Sequence, residues 1–138
     1  MNKTITVVDY AEWLNKMKWQ FYCTFTTRYS MSMKSARRAM ERLHSHLSSH
    51  YGKVTLFWVA EPFDTKYGYH THALIFVENQ LVKSLKALIM NAWQVVSSGK
   101  GGKLSNHTVL KPYDKKLGAN FYVAKYMFSK NADYDVLI

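Results

Sequence analysis

Two β-forming segments separated by a short polar turn constrain the fold of this chain more than any other feature. The segments are 54–61 and 69–77, and both are rich in β-branched and aromatic residues. Pro62 lacks a backbone N–H group, so strand pairing is expected to weaken there before a turn at 63–68. We therefore predict an antiparallel hairpin, which places Glu61 close to the start of the second strand.

The remaining segments predict an α+β fold of one antiparallel sheet, with helices packed mainly on one face. Before the hairpin, residues 19–27 alternate as a strand with Phe21, Cys23 and Phe25 facing the core, and apolar residues at helical spacing follow until Gly52. The complete predicted order is βαββαβα: a strand at 19–27, a helix ending at Gly52, the hairpin, a helix around 81–93, a strand at 105–111 and a helix at 118–130. Residues 1–17 are predicted to form an arm or a short helix.

The length and composition exclude several classes of protein. With 138 residues and no linker or internal repeat, the chain is expected to form one domain over residues 1–138. The single cysteine, Cys23, excludes an internal disulfide framework and a cysteine-based zinc site. No apolar run has transmembrane length and the N-terminus lacks a signal peptide, so a cytoplasmic, intracellular location without a membrane is expected.

The formal charge of +10, together with an aromatic content of 15%, indicates a nucleic-acid partner. The lysines are spread along the chain and not concentrated on one amphipathic helix, which argues against a membrane surface. The candidate DNA contacts are a stripe on the second predicted element, Lys34, Arg38 and Arg42, and a glycine-rich loop with Lys100 and Lys103. An ordinary solvated helix face is the alternative interpretation of the stripe.

The second strand of the hairpin begins with a His-x-His pattern that is typical of metal ligands. Residues two apart on a strand share a face, so His70 and His72 project together while Thr71 points away. With Glu61 they would form a three-ligand site that suits Mn²⁺, Co²⁺ or Zn²⁺ and holds Mg²⁺ less strongly. Open coordination positions would allow the ion to polarise a phosphoryl group. The alternative is a pair of histidines with ordinary structural roles.

The last predicted helix contains a second group of candidate catalytic residues. Tyr122, Lys125 and Tyr126 are three or four residues apart and therefore share one helix face. A phenol has a pKa of about 10, and a nearby ammonium group with a metal opposite would favour the phenolate. The alternative is an amphipathic helix whose tyrosines only pack.

The order of these motifs resembles that of the HUH endonucleases, which include the rolling-circle replication initiators. The first family motif is similar to the hydrophobic strand at 21–27, the second to His70 and His72 with Glu61 as the acidic ligand, and the third to Tyr122 with Lys125. The two-tyrosine pattern with Tyr126 is also similar to that of initiators from small single-stranded DNA phages. The resemblance covers roughly residues 19–130, although Thr71 replaces the hydrophobic residue that is usual between the histidines.

The resemblance implies an RRM-like HUH core and a metal-dependent nickase and ligase that initiates rolling-circle replication on single-stranded DNA. It implies Mn²⁺ or Mg²⁺ as cofactor, a 5′-phosphotyrosine intermediate on Tyr122, and an origin or hairpin as substrate. No helicase domain is expected in this chain, so a host or replicon helicase would unwind the DNA for a monomeric or dimeric protein. If the gene is viral or plasmid-borne, the protein would act in the host cell.

Two other functions stay open at this point. The first is a relaxase or transposase that uses the same chemistry. Such transposases usually carry a glutamine four residues after the tyrosine, where this chain has Tyr126. The second is a non-catalytic module that binds single-stranded nucleic acid, which would explain the charge but not Glu61, His70 and His72.

Overall fold

The computed structural model describes residues 6–27, 30–63, 67–97, 108–114, 116, 118–127 and 131–138, without the side chains of residues 119, 121 and 122. The predicted loop with Lys100 and Lys103 lies outside these residues. The elements are α1 (Val7–Asn15), β1 (Phe21–Phe25), α2 (Met33–Tyr51), β2 (Val54–Pro62), β3 (Tyr69–Val77), α3 (Val82–Val96), β4 (Val109–Pro112), α4 (Ala119–Met127) and β5 (Asp133–Leu137). None of the helices in the described parts of the chain is long and apolar enough to span a membrane.

The strands form one antiparallel sheet in the order β4-β1-β3-β2-β5. The predicted hairpin is confirmed as β2 and β3, with Glu61 directly opposite His70 and Val59 opposite His72. β1 lies on the other side of β3, so β3 is the central strand and carries the His-x-His pattern through the middle of the sheet. The predicted α+β class is confirmed.

Helix α2 shows how local sequence sets the element boundaries. The Ser35 N–H group donates to the Ser32 side-chain oxygen at 3.1 Å, which caps the first turn. Gly52 ends the helix with a φ of 93°, a conformation that a side chain would disfavour. Between these ends the helix buries one apolar face, consisting of Ala36, Ala39, Met40, Leu43 and Leu47.

The helices cover both faces of the sheet unequally. The two longer helices, α2 and α3, pack against a core that includes Phe21, Cys23 and Phe25 of β1. The shorter α1 and α4 pack against the opposite face, where Phe57 and Leu74 are buried. The predicted preference of the helices for one face therefore holds for the two long helices, and the two short helices complete the second layer.

Strand β5 extends the predicted order of elements and was not anticipated from the sequence. Its two aspartates accept hydrogen bonds from Arg37 of α2, with Nη2 2.8 Å from Asp133 Oδ1 and Nη1 3.2 Å from Asp135 Oδ2. The Arg37 guanidinium also lies 5.0 Å from the centre of the Trp58 ring. Aspartate is rare in strands, and here a cation that is distant in sequence contacts both carboxylates.

Candidate metal centre

The hairpin brings three potential metal ligands together at one end of the sheet. Glu61 Oε1 lies 3.2 Å from His70 Nε2 and 3.4 Å from His72 Nε2. One ligand atom from each residue can be chosen so that all three lie within 4.8 Å of one another. The predicted proximity of Glu61, His70 and His72 is therefore confirmed, and it follows from cross-strand pairing and the two-residue period of a strand.

The burial of these side chains fits a bound divalent cation. His72 is only 6% exposed, and its Nε2 atom makes no hydrogen bond to any described residue. A buried imidazole nitrogen without a hydrogen bond is costly unless another partner, such as a metal ion, takes its lone pair.

Thr71, which separates the two histidines in the sequence, is fully buried. Its neighbours on the adjacent strands, Phe25 and Ala60, belong to the core that packs against α2 and α3. The predicted opposite orientation of Thr71 is thus confirmed.

Two hydroxyl groups of β1 orient the His72 ring. Tyr22 Oη and Thr24 Oγ1 each lie 3.2 Å from His72 Nδ1. When Nδ1 carries the ring proton and donates it to these oxygens, the Nε2 lone pair faces Glu61 and is available to a metal. The alternation of β1 predicts that Tyr22 and Thr24 lie on the face opposite to Phe21, Cys23 and Phe25. The sequence alone did not assign them to the site, because it does not show that β1 neighbours β3.

Tyr22 is held as a neutral phenol. Burial raises the pKa of Tyr22 to about 12; the hydrogen bond to Thr24 opposes this shift, and the nearby Tyr126, Cys23 and Glu61 add to it. At neutral pH this tyrosine is therefore a hydrogen-bonding group and a poor nucleophile.

Helix α4 brings a different tyrosine, Tyr126, against one of the potential metal ligands. The Tyr126 ring stacks on the His72 ring with centroids 4.2 Å apart and an interplanar angle of 16°. Lys125 is exposed next to it. Tyr122 lies one turn earlier on the same helix, and its side chain falls outside the described part of the structure.

The position of α4 is fixed by α1. The buried Asn120 side chain donates from Nδ2 to the Ala11 carbonyl oxygen at 2.9 Å. Val123 and Ala124 are fully buried against the same face of the sheet as Ala11 and Leu14. The helix that carries the candidate nucleophiles is therefore anchored by packing and by a buried hydrogen bond.

The predicted basic stripe lies apart from this centre. Lys34, Arg38 and Arg42 are exposed on α2, which covers the face of the sheet opposite to α4. The structure therefore does not bring these three residues together with Glu61, His70 and His72. Lys100 and Lys103 fall outside the described residues, so the predicted role of their loop stays a prediction.

Comparison with known protein families identifies a match over most of the chain. The sequence profile of a family described as replication-associated protein ORF2 matches residues 20–131. This range includes β1, the hairpin and α4. No curated protein and no solved structure matches the chain.

Proposed function

Because the chain belongs to this ORF2 family of replication-associated proteins, we propose that it is a metal-dependent endonuclease and strand transferase that initiates rolling-circle replication on single-stranded DNA. The observation that carries this proposal is the Glu61, His70 and His72 group with the Tyr126 ring stacked on His72. A metal-binding group beside a tyrosine helix has the chemistry needed to cleave a phosphodiester through a tyrosine ester.

Glu61, His70 and His72 would hold one divalent cation, Mn²⁺ or Mg²⁺. Two imidazole nitrogens and one carboxylate oxygen favour Mn²⁺, whereas Mg²⁺ prefers oxygen ligands and would be held less strongly. When bound, the ion would polarise the scissile phosphate and stabilise the charge that develops on its oxygens. Tyr22 and Thr24 would keep His72 in the tautomer that presents Nε2 to the ion.

Tyr122 is the proposed first nucleophile, with Lys125 three residues later. The phenol proton goes to water, the phenolate oxygen attacks phosphorus, and the bond from phosphorus to the 3′ oxygen breaks. The departing 3′ oxygen takes up a proton to give a free 3′-OH, and the 5′ phosphate stays on the tyrosine. Attack by a 3′-OH on this ester reverses the step and reseals a strand without ATP. The Lys125 ammonium would favour the phenolate and offset the negative charge of the transition state.

Tyr126 is the proposed second nucleophile for a later strand transfer. One helical turn separates it from Tyr122, which corresponds to a rise of roughly 6 Å along the axis. The stacking of Tyr126 on His72 supports this role, because the phenol is already adjacent to a proposed metal ligand.

The proposed substrate is an origin or a hairpin in single-stranded DNA, and a separate helicase would supply unwinding. A relaxase or transposase would use the same chemistry on a different DNA. The matched family, however, consists of replication-associated proteins. A non-catalytic binding module would leave the buried metal-binding group without a role.

The test is mass spectrometry of the intact protein after incubation with a library of single-stranded oligonucleotides and Mn²⁺. We expect a covalent protein–DNA adduct that requires the metal and is absent from His70→Ala and Tyr122→Phe. Tyr126→Phe should still form the adduct and should lose repeated strand transfer. If no oligonucleotide gives an adduct, the nickase proposal is wrong. If peptide mapping finds the DNA on Tyr126 and Tyr122→Phe cleaves normally, the two tyrosines exchange roles.

A further inference from the structure

A basic cleft lies at the end of the sheet opposite to the metal ligands. Its volume is about 420 Å³, which is within the range of small-molecule sites. Three lysines and one glutamate line it together with an aromatic ring and a hydroxyl: Lys16, Lys18, Lys53, Glu78, Phe76 and Thr55. The charged groups of the lining thus carry a net charge of +2, three ammonium groups against one carboxylate.

The cleft and the metal ligands share one face of the β2–β3 hairpin. Thr55 pairs with Phe76 at one end of this face, and Glu61 pairs with His70 at the other. The pairs between them on the same face are Phe57 with Leu74 and Val59 with His72, and Phe57, Val59 and Leu74 pack against α1 and α4. The two ends of this face are therefore polar, and the middle is covered by the helices.

The lining residues match the chemistry of a nucleotide. Ammonium groups neutralise phosphate, and a half-buried ring such as Phe76 provides a surface on which an unpaired base can stack. Lys16 and Lys18 also follow the C-terminal end of α1, where cations stabilise a helix. That role does not account for Lys53, which reaches the same cleft from the segment before β2.

We propose that this cleft binds single-stranded DNA at a position remote from the scissile phosphate. The inference rests on the proposed function and adds a second contact region for the same strand. Phe76 is six residues from His70 on β3, which corresponds to about 20 Å. Because α1 and α4 cover the middle of the face, a stacked strand that advances about 3.4 Å per nucleotide needs at least about six nucleotides to cover this distance. Only oligonucleotides that extend at least this far from the cut can reach both sites.

The first test compares the salt dependence of DNA binding in two matched double variants. Lys18→Gln/Lys53→Gln removes two cations of the cleft, and Lys83→Gln/Lys86→Gln removes two exposed cations from α3 on the other side of the sheet. Each phosphate contact contributes about 0.7 to the slope of log affinity against log salt for a single strand. For a 20-nucleotide oligomer followed by fluorescence anisotropy, the cleft variant should therefore lower the slope by about 1.4. Affinity at low salt should fall about tenfold, and the α3 variant should stay close to the parent.

Two further measurements separate this cleft from the chemistry of cleavage. Phe76→Leu should weaken binding of the 20-mer about tenfold through lost base stacking, with folding checked by circular dichroism. Substrates with only three nucleotides on each side of the cut should form the covalent adduct equally well with the parent and the lysine cleft variant.

Two results would contradict the proposal that the cleft binds DNA. The first is a parental slope and affinity in Lys18→Gln/Lys53→Gln, and the second is an equal loss of affinity in both double variants. The binding assay does not depend on cleavage. Failure of adduct formation in the parent would therefore contradict the proposed function alone. Adduct formation in the parent, together with an unchanged salt slope in Lys18→Gln/Lys53→Gln, would contradict only DNA binding by the cleft.

Discussion

The two faces of the sheet are built from the same strands and both bury apolar side chains, but they differ in the polar groups that they carry near the metal centre. On the α2/α3 face, β1 and β3 present apolar side chains such as Phe25 and Ile75, which are fully buried. On the α1/α4 face, the alternate positions of the same strands present Tyr22, Thr24 and His72, which form a polar network. Because alternate residues of a strand lie on opposite faces, one face can supply most of the hydrophobic core while the other carries the buried polar groups of the candidate site.

The largest effect that sharpens this comparison is expected from His72→Ala on the polar face. Removing this ligand should abolish Mn²⁺ binding and metal-dependent adduct formation. The free energy of unfolding should fall by about 2 kcal/mol, since the contacts of the ring with Tyr22, Thr24 and Tyr126 are lost while an unsatisfied buried nitrogen is removed. Mn²⁺ titration by calorimetry, adduct formation and urea unfolding measure the three quantities. Parental adduct formation with Mn²⁺ present would show that His72 does not hold the metal.

Phe25→Ala on the apolar face should have the complementary effect on stability. The ring is fully buried and packs on Trp93 with centroids 4.6 Å apart, so its loss should cost about 3–5 kcal/mol of unfolding free energy. The measurement is urea unfolding, with Phe25→Leu as the milder control. A loss below about 1 kcal/mol would contradict the assignment of this face as the main core.

Thr24→Val tests whether the polar network tunes the metal ligand. The variant keeps the shape of the side chain and removes the hydroxyl 3.2 Å from His72 Nδ1, so Mn²⁺ affinity should fall about tenfold. Tyr22→Phe should act in the same direction. The NMR shifts of the His72 ring nitrogens in the metal-free protein should also change, because the preferred tautomer loses an acceptor.

The matched control for this experiment is Thr26→Val. The Thr26 hydroxyl contacts Thr108 and not a metal ligand, so this variant should bind Mn²⁺ like the parent. An equal loss of affinity in both threonine variants would indicate a general disturbance of β1.

The smallest effect is expected from Arg37→Gln, which tests how the edge strand β5 is held. Because Arg37 and Asp135 are more than a third exposed, solvent screening limits the value of their ion pair. We expect a loss of about 1 kcal/mol or less in global stability. Amide hydrogen exchange in β5 should nevertheless become faster, and unchanged exchange there would show that the β2–β5 ladder holds the strand without Arg37.

The sequence by itself determined the features that depend on neighbouring residues. The period of 69–77 and the turn before it were enough to predict the hairpin and the proximity of Glu61, His70 and His72. Gly52 was enough to place the end of α2. Capping, turns and alternation act over a few residues, so they are visible in the chain itself.

Only the tertiary structure decided which distant segments meet. The insertion of β1 between β4 and β3 brings Tyr22 and Thr24 to His72, and the anchoring of α4 on α1 brings Tyr126 to the same ring. Likewise Arg37 of α2 contacts the aspartates of β5, and the basic cleft is lined by lysines from two separate segments. These contacts arise from the order of strands and from the packing of complete elements, which no local pattern of residues encodes.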